Sequence, residues 1–110
     1  MKERDVEVYC TKKVHQLGGI CAKHVSPGRA GDPDRLLKLP GFPAGLLELK
    51  RPGEHPRPLQ FTRIEQWARA GMVAGWASTP AEVDAFIERL QGQCRDDTVP
   101  GGKIFAGSLP

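Results

Sequence analysis

The chain has 110 residues, 39% of them apolar and 26% charged, with 13 Gly and 10 Pro, which is the size and composition of one domain with several loops. Its longest stretch without Asp, Glu, Lys or Arg, Ala70 to Ala81, is twelve residues, too short for a membrane-spanning helix, and MKERDVEVYC lacks the apolar segment of a secretory signal, so a cytoplasmic protein is expected. The net charge of +3 is unevenly divided, with +6 over residues 8–63, −2 over 64–110 and −1 over 1–7, so a polyanion would be held by the basic half.

From the N-terminus, residues 3–17 have helical periodicity, with Val6, Tyr9, Cys10, Val14 and Leu17 on one stripe and Gly18-Gly19 as the stop. Ile20 to Val25 alternates as a short strand does, with Ile20, Ala22 and His24 on one face. SPGRAGDP, residues 26–33, is a loop by composition. Residues 34–39 and 44–50 form a second and a third strand, joined as a hairpin across Pro40-Gly41-Phe42-Pro43. A further loop, 51–58, ends in Pro58, which suits the first turn of a helix over about 59–70, buried through Ile64, Trp67, Ala68 and Gly71. Residues 72–77 read as a fourth strand. Thr79-Pro80-Ala81-Glu82 has the pattern of a capping box with proline in the first turn, and Val83, Phe86, Ile87 and Leu90 follow at helical spacing. Residues 92–110 lose all periodicity, so a mobile tail is expected beyond a domain of residues 1–91. The order αβββαβα implies an α/β fold, a small mixed sheet flanked by helices.

The three cysteines, Cys10, Cys21 and Cys94, are odd in number and lack CxxC spacing, which suggests free thiols, two of them buried. His15, His24 and His55 share no metal-ligand spacing, and His24 is expected to be a packing residue. Trp67 and Trp76 are expected in core or subunit contacts rather than as platforms for bases.

The chemistry concentrates on the third strand. A side-chain period of two puts Leu47 and Leu49 on one face and Glu48 and Lys50 on the other. Asp34 opens the paired strand directly after Pro33, so the hairpin can bring it near Glu48. Two carboxylates and a backbone carbonyl, here that of Leu49, make the hard oxygen set that Mg²⁺ or Mn²⁺ accepts. Such an ion stabilises charge on a phosphate and acidifies its water, and the lysine orients the nucleophile or offsets developing charge, which is the equipment for phosphodiester hydrolysis. An E-x-K pair on a strand is also a common surface ion pair. Gln60, four residues before Ile64, falls on the stripe facing the sheet and needs a partner there, either in the site or in loop backbone. Lys23, Ser26, Arg29 and Arg35 around the first loop, and Arg51 and Arg57 beyond Lys50, are candidate phosphate contacts, while the amides of SPGRAG form either a phosphate cradle or plain turns.

The ordered set Pro33-Asp34, then Glu48-Leu49-Lys50, with a helical glutamate before and a helical glutamine after, is the PD-(D/E)xK pattern. With KERDVE, LGGICAKHVSPGRAGDPDRL, LLELKRPG, PRPLQ, AGM and EVDAFIERL, the chain from about Met1 to Leu90 resembles the virus-type replication-repair nucleases (VRR-NUC domains), often encoded as stand-alone phage proteins. The resemblance implies a restriction-endonuclease-like core and metal-dependent cleavage of DNA by homodimers, in some stand-alone members of branched DNA such as Holliday junctions, here in the cytoplasm of a bacterial host. By the same resemblance Asp34 and Glu48 are metal ligands, Lys50 is the catalytic lysine, Gln60 contacts the lysine, a water or the substrate phosphate, and a glutamate of the first helix completes the metal site, often through water. Glu3 and Glu7 both lie near the sheet-facing side of that helix; the distance to Gly18-Gly19 favours Glu7, with Glu3 the alternative. A twofold enzyme suits a twofold junction, and Phe42, Phe61 and Trp76 are candidates for an interface. The other reading is a DNA-binding module with the same fold and no turnover.

Overall fold

A computed structural model of the chain describes residues 1–92 and the short strand Ile104–Phe105. The elements in chain order are α1 (Glu3–Gln16), β1 (Ile20–Lys23), β2 (Arg35–Lys38), β3 (Gly45–Leu49), α2 (Pro58–Arg69), β4 (Val73–Ala77), α3 (Pro80–Leu90) and β5 (Ile104–Phe105). They form a mixed sheet in the order β1-β2-β3-β4-β5, in which β3 and β4 are parallel and the other pairs antiparallel. Parallel neighbours need a crossover, and α2 supplies it. The expected α/β order is present with one addition, β5, in the stretch expected to be mobile; Cys94 and the rest of the expected tail lie outside the described residues.

Strand alternation divides the core in two. Leu37, Leu39, Leu47 and Leu49 point to the face covered by α1 and α3, where they pack with Val6, Cys10, Val14, Val83, Phe86 and Leu90. Leu46, Ala74 and Trp76 point to the other face, under Ile64 and Ala68 of α2. Gly45 is where β3 touches α3: a Cβ there would lie 2.5 Å from Leu90 Cδ2 and 3.0 Å from Phe86 Cζ. Across the first layer, Tyr9 of α1 donates its hydroxyl proton to Asp84 of α3 at 2.6 Å.

The structure corrects several local expectations. The first strand ends at Lys23 rather than Val25: the His24 amide still donates to Asp34 O at 2.8 Å, and the chain then leaves the sheet for the turn closed by the Arg29 amide on Ser26 O. Of the two places expected for Trp76, core or subunit interface, the core is the one it takes: it is 4% exposed under α2, since β4 is an interior strand; Phe61 is half-buried against it and Phe42 stays exposed. At the start of α3, Thr79 Oγ1 accepts from the Glu82 amide at 3.2 Å as a cap should, but the Glu82 carboxylate accepts from Ser78 N–H and Oγ–H, at 2.8 and 2.9 Å, instead of closing the reciprocal bond to Thr79. Of the two described cysteines, both free, Cys10 is buried and Cys21 only half-buried. Among the described residues, no helix is long and apolar enough to cross a membrane.

Candidate active site

The site is built where β2 begins and β3 ends. Arg35 pairs with Leu47 in the β2–β3 register, so one further step sets Asp34 opposite Glu48 and Pro33 opposite Leu49. Pro33 has no N–H to offer the ladder, which frees that end of β3 for other contacts. By alternation Glu48 shares the α2 face with Leu46, and Lys50 follows it, tied to the sheet through its amide to Ala77 O at 2.9 Å.

Glu48 is a buried charge with partners. Its Oε2 accepts from Gln60 Nε2 at 3.1 Å and lies 3.5 Å from Lys50 Nζ. Gln60 is placed by its own helix: as the third residue of α2 it accepts the Arg57 N–H through Oε1 at 2.8 Å. That donor fixes the amide oxygen, so the NH₂ end must face the sheet. The loop-backbone contact expected as one alternative is present, and the amide's other end meets the Glu48 carboxylate rather than the lysine, a water or a phosphate.

Burial first, then the charge of Asp34, push the Glu48 carboxyl up to about 7 against the opposing pull of Lys50. Asp34 is likewise raised, by burial first and by Glu7, while Arg35 and the Leu49 amide pull the other way. Asp34 Oδ1 is buried without a hydrogen-bond partner. An orphaned anionic oxygen beside a second carboxylate is costly unless a cation comes to it.

The helix-one acids take different positions. Glu7 Oε2 lies 3.2 Å from Arg35 NH2, in an ion pair across α1 and β2. The Glu3 carboxyl is raised by burial, then by Glu7 and Asp34, and is drawn down by Lys50, so it senses the same cluster. Among the described residues no three His, Cys, Asp or Glu side chains form a metal site by themselves. The donor set therefore fits a hard cation only as two carboxylates supplemented by a carbonyl and water, an arrangement usual for Mg²⁺.

The six candidate phosphate contacts divide. Arg35 is turned inward to Glu7, with its side chain 13% exposed and Nε unpartnered. Arg29 is held by the Asp32 carboxylate at 2.9 Å and by Gln66 at 2.8 Å. Ser26 Oγ lies 3.4 Å from His24 Nε2. Lys23, Arg57 and Arg51 are exposed, the last 3.5 Å from Glu54. His24 is a packing residue, edge-on to Trp67 with its Nδ1 donating to Pro33 O at 2.9 Å. Sequence reasoning missed Asp32 and its bond from Trp67; the only signal was an acid between two glycine-bearing turns and Pro33, which many loops share.

No family model matches the chain. It is similar to a protein of Acyrthosiphon pisum secondary endosymbiont phage 1 named "Putative nuclease p44", 45% identical over 61 residues that make up 56% of this chain and 66% of that protein. It also superposes on a solved structure described as a VRR_NUC domain, with a TM-score of 0.72 and 30% identity over 80% of this chain and 96% of the other. The chain belongs to the VRR-NUC family. In this VRR-NUC chain the Pro33-Asp34 and Glu48-Leu49-Lys50 words, far apart in sequence, meet at one end of one hairpin, with Gln60 braced against them.

Proposed function

We propose that this VRR-NUC domain is a nuclease that hydrolyses phosphodiester bonds of DNA with a divalent cation, Mg²⁺ or Mn²⁺, held by Asp34 and Glu48 with the Leu49 carbonyl, and Glu7 through water. The observation that carries the reading is the partnerless, buried Asp34 Oδ1 beside the Glu48–Lys50–Gln60 cluster. The nuclease name of the phage relative supports the same activity class. A bound cation would supply charge stabilisation at the phosphate and a more acidic water.

The protein's own groups do the rest. Lys50 Nζ, kept near Glu48, holds the attacking water or a phosphate oxygen and offsets the charge that develops there. Gln60 fixes the Glu48 carboxylate by donating to it, and a fixed carboxylate keeps the lysine aimed. Lys23, Arg51 and Arg57 approach backbone phosphates without reading sequence. The finer reading is an endonuclease acting on duplex or branched DNA, Holliday junctions among them, as a homodimer in the cytoplasm of a phage-infected bacterial host.

The test is cleavage of labelled duplex, flap and four-way-junction DNA with EDTA, Mg²⁺ or Mn²⁺. Cutting by the native protein only with metal, reduced at least about 100-fold in Lys50→Ala, Asp34→Asn and Glu48→Gln with DNA binding retained, is the expected result. Native-level cutting by these variants, or by the native protein in EDTA, overturns it. Comparing Glu7→Gln with Glu3→Gln tells which helix-one acid contributes.

A further inference from the structure

The loop of residues 24–33 delivers Asp34 to the site, and it does not hang free. Asp32 sits near its end, two residues before Asp34, with a side chain only 4% exposed. Its carboxylate accepts from Trp67 Nε1 at 3.0 Å and from Arg29 Nε at 2.9 and 3.0 Å. Arg29 reaches on to Gln66 Oε1 at 2.8 Å, and Arg63 donates to Ala30 O at 3.0 Å. Gly31, at φ +87°, lets the loop backbone lie so close to α2 that a Cβ would stand 2.8 Å from Leu59 Cγ. One helix therefore grips the loop that ends in Asp34 through Trp67, and holds Glu48 through Gln60.

Two buried carboxylates repel, and Asp34 stands where loop and strand meet, its backbone held to β1 by the His24 amide, which donates to Asp34 O at 2.8 Å, and its approach set by the loop before it. We propose that Asp32 and Trp67 are positioning residues: their half-buried hydrogen bond clamps the loop to α2 and holds Asp34 opposite Glu48 in the geometry a divalent cation needs. The inference rests on the metal-site reading above. Neither residue touches the cation or the DNA; they act through Asp34, as the supporting groups around metal ligands generally do. Arg29, in this view, belongs to the clamp.

The test uses Trp67→Phe, which removes the indole N–H and keeps an aromatic ring against His24, and Asp32→Ala, which removes the acceptor of that bond. The probe is Mn²⁺ itself, titrated calorimetrically into the full chain without DNA, followed by kcat and KM on labelled DNA. Both variants are expected to bind Mn²⁺ about tenfold more weakly and to lose kcat, with KM for DNA unchanged. Because the two groups share one bond, the double variant should lose no more than Asp32→Ala alone. Native Mn²⁺ affinity in folded Trp67→Phe, in a background where Asp34→Asn abolishes binding, overturns the clamp and leaves the metal site standing. Native affinity in Asp34→Asn overturns the metal site, and the clamp with it. Should Asp32→Ala fail to fold, Trp67→Phe carries the test alone.

Discussion

Asp34 and Glu48 are retained in surroundings that disfavour their charges, and the direction of each shift says what removing one should do. With both carboxyls raised by burial and Glu48 raised further by its neighbour, a neutral side chain at 34 removes repulsion and a buried orphan anion at neutral pH. Asp34→Asn should therefore stabilise the metal-free protein by about 1 kcal/mol, a rise of roughly 5 °C in Tm for a domain of this size. Added Mn²⁺ should reverse the order, raising the native Tm by mass action while leaving the variant unmoved. Thermal melts with EDTA and with a Mn²⁺ series measure both. A variant less stable than the native protein in EDTA would show that Asp34 supports the fold rather than the site. The ammonium of Lys50, its Nζ 3.5 Å from Glu48, offsets part of the repulsion, so Lys50→Ala should destabilise the metal-free protein while it abolishes cutting.

At the scale of elements, α2 joins the helix start to the active site. Gln60 caps the first turn through Oε1 and holds Glu48 through Nε2, so Gln60→Ala should cost about 1–2 kcal/mol in chemical denaturation and slow cleavage about tenfold. Native cleavage in a destabilised variant would confine Gln60 to the cap. Thr79→Ala, which strips the cap of α3, should cost about 1 kcal/mol without touching activity. Gly45→Val drives a side chain into Leu90 and Phe86 and should cost about 1–3 kcal/mol. Much of this was readable in the chain. The third strand announced itself because alternation and Glu48-Leu49-Lys50 coincide, the hairpin because Pro40-Gly41-Phe42-Pro43 breaks two apolar runs, and α3 because Thr79-Pro80 precedes a clean apolar stripe. Other features depended on contacts that no local pattern encodes. Trp76 reads as surface or core equally well until β5 and α2 flank its strand. The Asp32–Trp67 bond joins residues 35 apart in sequence, and Arg35 looks like any exposed base until alternation turns it toward Glu7.

At the scale of the molecule, the +6 of residues 8–63 overstates what is free to meet a phosphate backbone. Arg35 is spent on Glu7, and Arg29 and Arg63 tie the loop to α2. Beside the site, Lys23, Arg51 and Arg57 remain exposed, about three contacts for one copy of the chain. Each neutralised phosphate contributes about −0.9 to the slope of log K against log salt on duplex DNA. One copy on duplex DNA should thus give a slope of about −2.7, and two copies related by a twofold axis about −5.4. Anisotropy titrations over a salt series, made with Lys50→Ala so that the DNA stays whole, distinguish the two. A slope near the larger value, cut to about a third when Arg57 and Lys23 are both changed to Gln, supports a dimer that grips DNA with the surface beside the candidate site. A slope near the smaller value, with the protein monomeric in sedimentation, means that a single copy engages the strand and that selectivity for a twofold junction has no twofold protein behind it.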